Sequence, residues 1–431
     1  MVSNDMQPDA STLHSDVLAV LDGLDVSDRP INHPAGARVL PKEAYMSAAF
    51  HAFEKEAVFM RSWLCVGRVQ QLPNVGDYMA ITLLDEPLII IRGKDEKIRT
   101  MSALCRHRGH TLAEQCSGNA KKFVCPYHRW TYAIDGNLVG APRMKDAVEI
   151  RRLREESQLP LLRTEIWYGF IFVNFDADAA PLAPTMRKLE RYMEGYDLDS
   201  MVTLPPSFSK EPVLWNWKML LENYIEPYHT EYVHPIIHDF APSTGVEFDP
   251  WRGDDDNVIV RYVPFLAPDG GLTERGWAAP ASFPPIETLS PKQRHCVGFG
   301  MIPPSMNIIF TPDMLCYGLV YPLSPTSLTV GGGLFTVGGW CMPKSTVNLP
   351  DFADRVGRMM EGSRQLGEQD TAINLAMQRA KFSRFAPRGR FAPLEETLSQ
   401  FNRWLAIRYR DEAARRGYNV KRSLDAKRAA S

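Results

Sequence analysis

The sequence lacks any run of the roughly 20 apolar residues that a membrane helix needs, so no membrane association is expected. It also lacks a basic surplus. Its 49 Lys and Arg face 51 Asp and Glu, for a net charge of −2. A nucleic-acid binder would carry a clear positive excess, so no nucleic-acid partner is expected. The one basic stretch, Arg408 to Arg428, reads as a solvated helix and tail. Cysteine is sparse: seven residues, an odd number, are scattered along 431 positions. That excludes a dense disulfide framework and points to the cytoplasm, where thiols stay reduced. Met1 to Asp25 holds acidic residues and no long apolar core, so no secretory leader is expected there. No Gly-x-Gly-x-x-Gly follows a strand-like run, so no dinucleotide-binding fingerprint is expected in this chain. Internal repeats are absent as well.

What remains is an ordinary globular composition, 45% hydrophobic and 23% charged, in a chain long enough to bury more than one core. Residues 1–40 are polar and interrupted by Pro30 and Pro34, which suggests a mobile arm with one short helix around Ser15 to Leu24. Residues 41–62 read as helical, with apolar side chains at Tyr45, Ala48, Ala49, Phe53 and Val58. The pattern then changes to short strands. Leu64 to Val69 is one. Asp77 to Thr82 and Leu88 to Arg92 form a hairpin turning at Asp85-Glu86-Pro87. Lys97 to Ala103, Lys122 to Val124, Trp130 to Tyr132 and a single run from Ile166 to Phe175 follow. Residues 63–178 are therefore expected to form a small all-β unit. Beyond a linker near Ala179 to Pro184, residues 179–431 mix both patterns. Helical periodicity marks Met186 to Tyr196, Trp215 to Val233, Leu349 to Arg379 and Pro393 to Arg415. A charged turn is expected at Asp249 to Asp256. Antiparallel strands are expected at Asn307 to Phe310, Met314 to Tyr321 and Ser327 to Val337.

Two short motifs carry chemistry. Cys105-Arg106-His107 and Cys125-Pro126-Tyr127-His128 are separated by Arg108 to Val124. Each pair fits the tip of one tight loop, and two such loops can clamp a metal centre. Two thiolates on one iron and two neutral imidazoles on the other describe a Rieske [2Fe-2S] cluster, in which imidazole raises the reduction potential. A zinc ion is the rival, although zinc spacing usually pairs Cys with Cys and His with His. His110 is read as a loop residue outside the ligand set. The second candidate region is Glu222-Asn223-Tyr224-Ile225-Glu226-Pro227-Tyr228-His229 with His234. Two imidazoles and one carboxylate leave iron with open positions. His229 and His234 would sit about 140° apart on a regular helix, so His234 must lie past a helix end. His234 and His238 have the more regular spacing, and the residues alone leave both pairs open. Asp354, Glu368 and Asp370 are equally open as the acid.

Cys105-Arg106-His107-Arg108-Gly109 with Cys125-Pro126-Tyr127-His128-Arg129-Trp130-Thr131-Tyr132 resembles the Rieske domain of aromatic-ring-hydroxylating oxygenases, the catalytic α subunits of Rieske non-haem iron oxygenases. Arg129 departs from the Gly that many members carry. The resemblance covers about residues 45 to 410. It implies an α+β fold: a Rieske domain inserted in a catalytic domain whose antiparallel sheet is flanked by helices, a helix-grip, START-like arrangement. It implies Cys105, His107, Cys125 and His128 as cluster ligands, and His229, His234 and Asp370 as ligands of a mononuclear Fe(II). It makes Asn223 and Glu226 catalytic, with Glu226 linking His128 of one subunit to His229 of the next. Glu226 replaces the aspartate of most members and resembles enzymes acting on trimethylammonium substrates. The implied activity is O2-dependent hydroxylation or oxidative demethylation of an aromatic compound or quaternary amine. The implied partners are an NAD(P)H-dependent reductase, a possible ferredoxin, and further copies in a homotrimer or a multiple of one. Phe240, Ile308, Phe310, Tyr317 and Leu319 are the expected pocket walls. A Rieske electron carrier without catalysis and a zinc-stabilised binding protein are the competing readings.

Overall fold

Val17, Val20, Leu21 and Leu24 recur at helical spacing. In the computed structural model, which describes residues 13–113, 115–205, 211–253, 256–266, 283–331 and 339–418, all four are buried on a helix Ser15–Ser27. That helix packs on the C-terminal helix Glu396–Arg415. The Arg410–Asp28 ion pair at 2.6 Å fixes it, as do bonds from Asn402 Nδ2 to Ser27 O and Arg38 O. Residues 13–40 are thus not the expected mobile arm, because burying four apolar side chains outweighs their polar surroundings. Residues 1–12 of that arm, and the basic stretch beyond 418, lie outside the described residues.

The chain divides into two units, Met60–Leu182 and the segments on either side of it. The smaller one is all antiparallel. Its seven-stranded sheet runs in the order Leu64–Arg68, Phe170–Asn174, Leu161–Trp167, Ile98–Ser102, Glu86–Arg92, Asp77–Leu83, Ser117–Asn119. A three-stranded sheet, Lys122–Val124, Thr131–Ala133 and Leu138–Gly140, completes it. Two turns differ from expectation. The first hairpin turns at Leu84-Asp85, both with positive φ (54° and 71°), and Pro87 lies inside the strand opposite Thr82. The run Ile166 to Phe175 is not one strand. Tyr168-Gly169 (φ 47° and 75°) turn it back, so that Trp167 pairs with Phe170. Both are tight turns with two left-handed residues, the twist that suits a two-residue hairpin.

The larger unit is built on an eight-stranded antiparallel sheet. Its order is Val202–Leu204, Gly339–Met342, Leu315–Ser324, Met306–Phe310, Cys296–Ile302, Ile259–Pro264, Glu247–Phe248, with Ser327–Gly331 beside Leu315–Ser324. The strand expected to reach Val337 is described to Gly331; residues 332–338, and 254–255 of the charged turn, lie outside the described residues. Register sorts the sheet's two faces. Arg261, Phe299, Ile309 and Cys316 form one cross-strand row, and Val263 pairs with Val297 beside it. This face meets the long helix Phe352–Lys381, whose Met359 packs with Cys316, Trp340 and Met342. Further along, the same helix buries Ser363, Gly367, Asp370, Asn374 and Gln378.

The segment Trp215 to Val233 is not one helix. Trp217–Ile225 is helical, and Glu226 leaves the helix at φ −91°, ψ 139°. Pro227 is the cause: its ring crowds the preceding residue out of helical ψ, and it offers no N–H. Two short helices follow, Thr230–Val233 and Pro235–His238. Beneath Trp217–Ile225 lies a buried polar cluster. Glu54 accepts from Lys218 Nζ (2.7 Å), Trp217 Nε1 (2.8 Å) and the Tyr409 hydroxyl.

Candidate metal centres

The two cysteine loops share one design. Cys105 N–H donates to His110 O, and Gly109 N–H returns to Cys105 O; Cys125 N–H donates to Trp130 O, and Arg129 N–H returns to Cys125 O. The fourth residue after each cysteine is left-handed, Gly109 at φ 77° and Arg129 at φ 60°. The departure from glycine at Arg129 therefore falls where a side chain is strained. Both cysteines are buried in the unit's core, among Ile89, Phe123, Trp130 and Tyr132. The histidines face outward. His107 Nδ1 and His128 Nδ1 lie 3.1 Å apart. Trp130 stacks on His107 at 4.9 Å and Tyr127 covers His128 at 3.6 Å. Burial pushes the Cys105 thiol up and the neighbouring Cys125 adds to this, against Tyr132, whose hydroxyl lies 3.5 Å from Cys105 Sγ. His128 is pulled down by desolvation and by the charges of His107 and Arg108. His110 bonds its own loop at Thr111 O.

The donors of these loops do not converge on one point. Among the described residues, the only His, Cys, Asp or Glu group with three ligand atoms mutually within 4.8 Å is His229, His234 and Asp370. A tetrahedral zinc ion would bring all four loop donors inside that limit. Two buried sulfurs and two facing imidazole nitrogens instead suit a centre with two metal atoms, one per pair.

The second centre forms where the helix breaks. His229 directly precedes the Thr230–Val233 turn, and His234 lies between the two short helices at φ −124°, ψ 59°. The irregular turn removes the angular mismatch of a five-residue spacing. His234 Nε2 approaches Asp370 Oδ1 and Oδ2 at 3.1 and 3.0 Å, and His229 Nε2 lies 3.7 Å from Asp370 Oδ1. The opposite ring nitrogens are occupied: His234 Nδ1 meets Gln369 Oε1 at 2.8 Å, and His229 Nδ1 meets Glu226 Oε1. With these acceptors each Nδ1 can donate, which leaves Nε2 facing the common centre, the arrangement a metal-binding imidazole needs. Asn223 Nδ2 donates to Asp370 Oδ1 at 3.2 Å. Burial opposes a charged His234, but Asp370 and Gln369 outweigh it and raise its pKa. The donor set, two neutral imidazoles and a buried carboxylate, suits a ferrous ion with open positions.

The competing residues lie elsewhere. His238 Nδ1 is 3.3 Å from Ser243 N and Oγ. Glu368 is exposed and paired with Arg364, and Asp354 is exposed. Gln369 was missed by sequence reasoning, because nothing in its spacing separates it from other helix glutamines.

A cavity opens beside His229, His234 and Asp370, walled by Ile237, Phe240, Val263, Phe265, Val297 and Phe299. Of the expected walls, Phe240 lines it. Ile308, Phe310, Tyr317 and Leu319 do not, and Ile309 and Thr311 do. Ile308 pairs with Tyr317, and Leu319 with Met306, so these side chains share the sheet's opposite face, where Phe310 meets Tyr192 and Tyr196. The expectation was consistent across strands but one residue out of phase, which moves every side chain to the other face.

Comparisons with known proteins place the chain in a family. Residues 189–411 match the ring hydroxylating alpha subunit (catalytic domain) family, and residues 62–156 match the Rieske [2Fe-2S] domain. The chain is 35% identical over 232 residues to the carnitine monooxygenase oxygenase subunit of Acinetobacter pittii, covering 53% of this chain and 60% of that protein. It is 36% identical over 276 residues to the biphenyl 2,3-dioxygenase subunit alpha of Rhodococcus jostii, covering 59% of each. The matches thus span about 60% of the length of these relatives. A crystal structure of a quaternary ammonium Rieske monooxygenase shares the fold, with a TM-score of 0.71, 21% identity and coverage of 90% of this chain and 98% of the other. With a Rieske domain inserted ahead of a catalytic domain that matches over half the chain, this protein belongs to the ring-hydroxylating α-subunit family.

Proposed function

We propose that the chain is the terminal oxygenase component of a cytoplasmic multicomponent enzyme. It uses O2 and NAD(P)H-derived electrons to hydroxylate or oxidatively demethylate a small organic substrate. The observation that carries this reading is the convergence of His229, His234 and Asp370 within 4.8 Å beside an apolar cavity. A pure electron carrier needs neither. Relatives that act on carnitine and biphenyl support both substrate classes. Among the described residues no helix is long and apolar enough to cross a membrane.

Cys105, Cys125, His107 and His128 would hold the cluster; His229, His234 and Asp370 would hold the iron. When bound, the cluster supplies single electrons and the iron supplies O2 activation. Glu226 fixes the His229 ring through Nδ1, and its other oxygen accepts from the Tyr228 and His229 N–H groups. Asn223 orients Asp370. Phe240, Phe265 and Phe299 exclude water and position the substrate. Electrons arrive from a separate reductase, with or without a ferredoxin. With both centres loaded, His128 of one subunit would relay them through Glu226 to His229 of its neighbour in a homotrimer or a multiple of one. A quaternary ammonium Rieske monooxygenase of the same fold has been described with inter-subunit electron transfer.

The purified protein is expected to be red-brown, to contain about three irons per chain (two in the cluster and one mononuclear), and to show a rhombic reduced-cluster EPR signal. Asp370→Ala should remove the mononuclear iron and turnover while the cluster spectrum persists. Colourless, zinc-loaded protein, or an active and iron-replete Asp370→Ala variant, sinks the reading.

A further inference from the structure

Arg261 is the only Arg or Lys lining the cavity among the described residues. It stands on the strand Ile259–Pro264, in the same cross-strand row as Phe299 and Ile309, and only 4% of its surface is exposed. Its guanidinium lies over the Phe299 ring at 3.9 Å. Nε donates to Ile225 O at 2.6 Å, and Nη2 reaches Tyr224 O at 3.5 Å. These are last-turn carbonyls of the Trp217–Ile225 helix, so part of its role is to cap a helix end. Capping favours a cation there through the helix dipole, but it uses only part of the guanidinium's donors. Thr397 Oγ1, a neutral donor, bonds the same Ile225 carbonyl at 3.1 Å.

A guanidinium has five N–H donors, and two are engaged among the described residues. No carboxylate lies within 4.0 Å of it among the described residues. Asp370, the one acid in the cavity wall, is committed to His229, His234 and Asn223. Burial lowers the Arg261 pKa to about 10, with Tyr224 and Glu226 pulling the other way, so the group stays charged at neutral pH. A buried cation without a carboxylate partner is costly, and a planar guanidinium fork matches a carboxylate in geometry. The cavity is otherwise apolar and aromatic, with Phe240 and Phe265 at 6.0 Å.

We propose that Arg261 determines the specificity of this cavity, and that its occupant is a carboxylate-bearing substrate whose anionic end pairs with the guanidinium edge left free by the helix carbonyls. The apolar or quaternary-ammonium end of that substrate then lies among Phe240, Phe265 and Val297. The inference rests on the oxygenase reading and narrows it: neutral arenes and uncharged amines are poor occupants.

The test uses the full-length, metal-replete protein. Benzoate, 3-phenylpropionate, glycine betaine and carnitine are each compared by calorimetry with their primary amides, which keep size and lose the charge. At least one carboxylate should bind roughly tenfold or more tightly than its amide, as a charge-assisted pair requires. Arg261→Gln keeps amide donors for the helix carbonyls and should erase that preference, with cluster spectrum and iron content unchanged. Arg261→Lys keeps the charge without the fork and should keep a reduced but measurable preference, which covers the case in which the Gln variant unfolds. The proposal is overturned if wild type binds no carboxylate better than its amide, if Arg261→Gln retains the preference, or if a folded Arg261→Lys loses it. Metal analysis of the wild type reads the oxygenase assignment separately. A protein with its full iron and no carboxylate preference sinks only the role of Arg261.

Discussion

Replacing Glu54 by Gln tests how the helix carrying the second centre is held. Glu54 and Lys218 are both fully buried and 2.7 Å apart. Around Lys218 stand the rings of Trp217 at 5.0 Å, Tyr45 at 5.4 Å and Phe50 at 5.8 Å, and Glu222 adds a weaker opposing charge. Burial lowers the pKa of Lys218, and Glu54 opposes that. Without Glu54 the ammonium loses its hydrogen-bonded partner and keeps only the weaker pull of Glu222, and breaking such a pair costs about 3–5 kcal/mol. Deprotonation sets a ceiling. Holding a lysine neutral at pH 7 against an unfolded pKa near 10.4 costs about 4.6 kcal/mol, at about 1.36 kcal/mol per unit. Once Lys218 is neutral in the folded variant, the unfolded state binds one proton more. Stability of the variant then rises with pH by about 1.4 kcal/mol per unit until the unfolded lysine titrates. Urea unfolding followed by tryptophan fluorescence should show a deficit of about 3–4.6 kcal/mol at pH 7 that falls to about 2.6 kcal/mol or less at pH 8.5, where the ceiling set by deprotonation is lower. Glu54→Gln with Lys218→Met should recover most of it. A deficit under about 1 kcal/mol, or one that ignores pH, refutes the assignment of a charged pair.

Three further outcomes follow from local geometry. Arg129→Gly should exceed Arg129→Ala in stability by roughly 0.5–1 kcal/mol, since glycine relieves left-handed strain of about 1–2 kcal/mol at some entropic cost; equal urea midpoints at the cluster absorbance would contradict this. Burial, helped by Glu226 and Glu222, raises Glu395 to about 7. Its contribution is present below the unfolded pKa near 4.5 and lost as pH rises to about 7. Discounted for partial exposure, that loss is roughly 1–2 kcal/mol, and Glu395→Gln should flatten the stability profile over this window. Tyr132 accepts from Arg106 N–H at 2.9 Å, which directs its own proton to Cys105 Sγ. Removing that bond with Tyr132→Phe should lower the cluster potential by roughly 40 mV, for about 1 kcal/mol in a one-electron couple; an unchanged redox titration would show that the hydroxyl does not face the sulfur.

The metal-binding motifs were legible because their chemistry is compressed into short sequence. Cys105-x-His107 and Cys125-x-x-His128 need no tertiary information beyond two tight loops. His229 and His234 required more. Residue spacing alone left His238 in contention, and only the break at Pro227 and the turn before Pro235 decide the geometry. Asp370 was not separable from Glu368 by composition; burial separates them, and burial is a tertiary property. The cavity walls failed for a different reason. Alternation shows that a strand has two faces without showing which one a distant helix covers, so Ile308 and Ile309 were equivalent in sequence. Arg261 carries no sequence signal, because its row partner Phe299 lies on the next strand. The Tyr168-Gly169 turn was hidden because the runs on either side of it are strand-like.

The polar face of the helix Phe352–Lys381 has one more consequence. A helix that buries only leucines can slide by a turn, about 5.4 Å, and still find apolar partners. This one buries Ser363, Gly367, Asp370, Asn374 and Gln378. Gln378 accepts from Asn216 N–H at 2.8 Å and donates to Tyr45 O at 3.2 Å, two turns from Asp370. A slip by one turn would strand both bonds in a dry interior. The axial height of Asp370 is therefore indexed by groups that never approach the candidate metal site, and side chains remote from it set its alignment with His229 and His234.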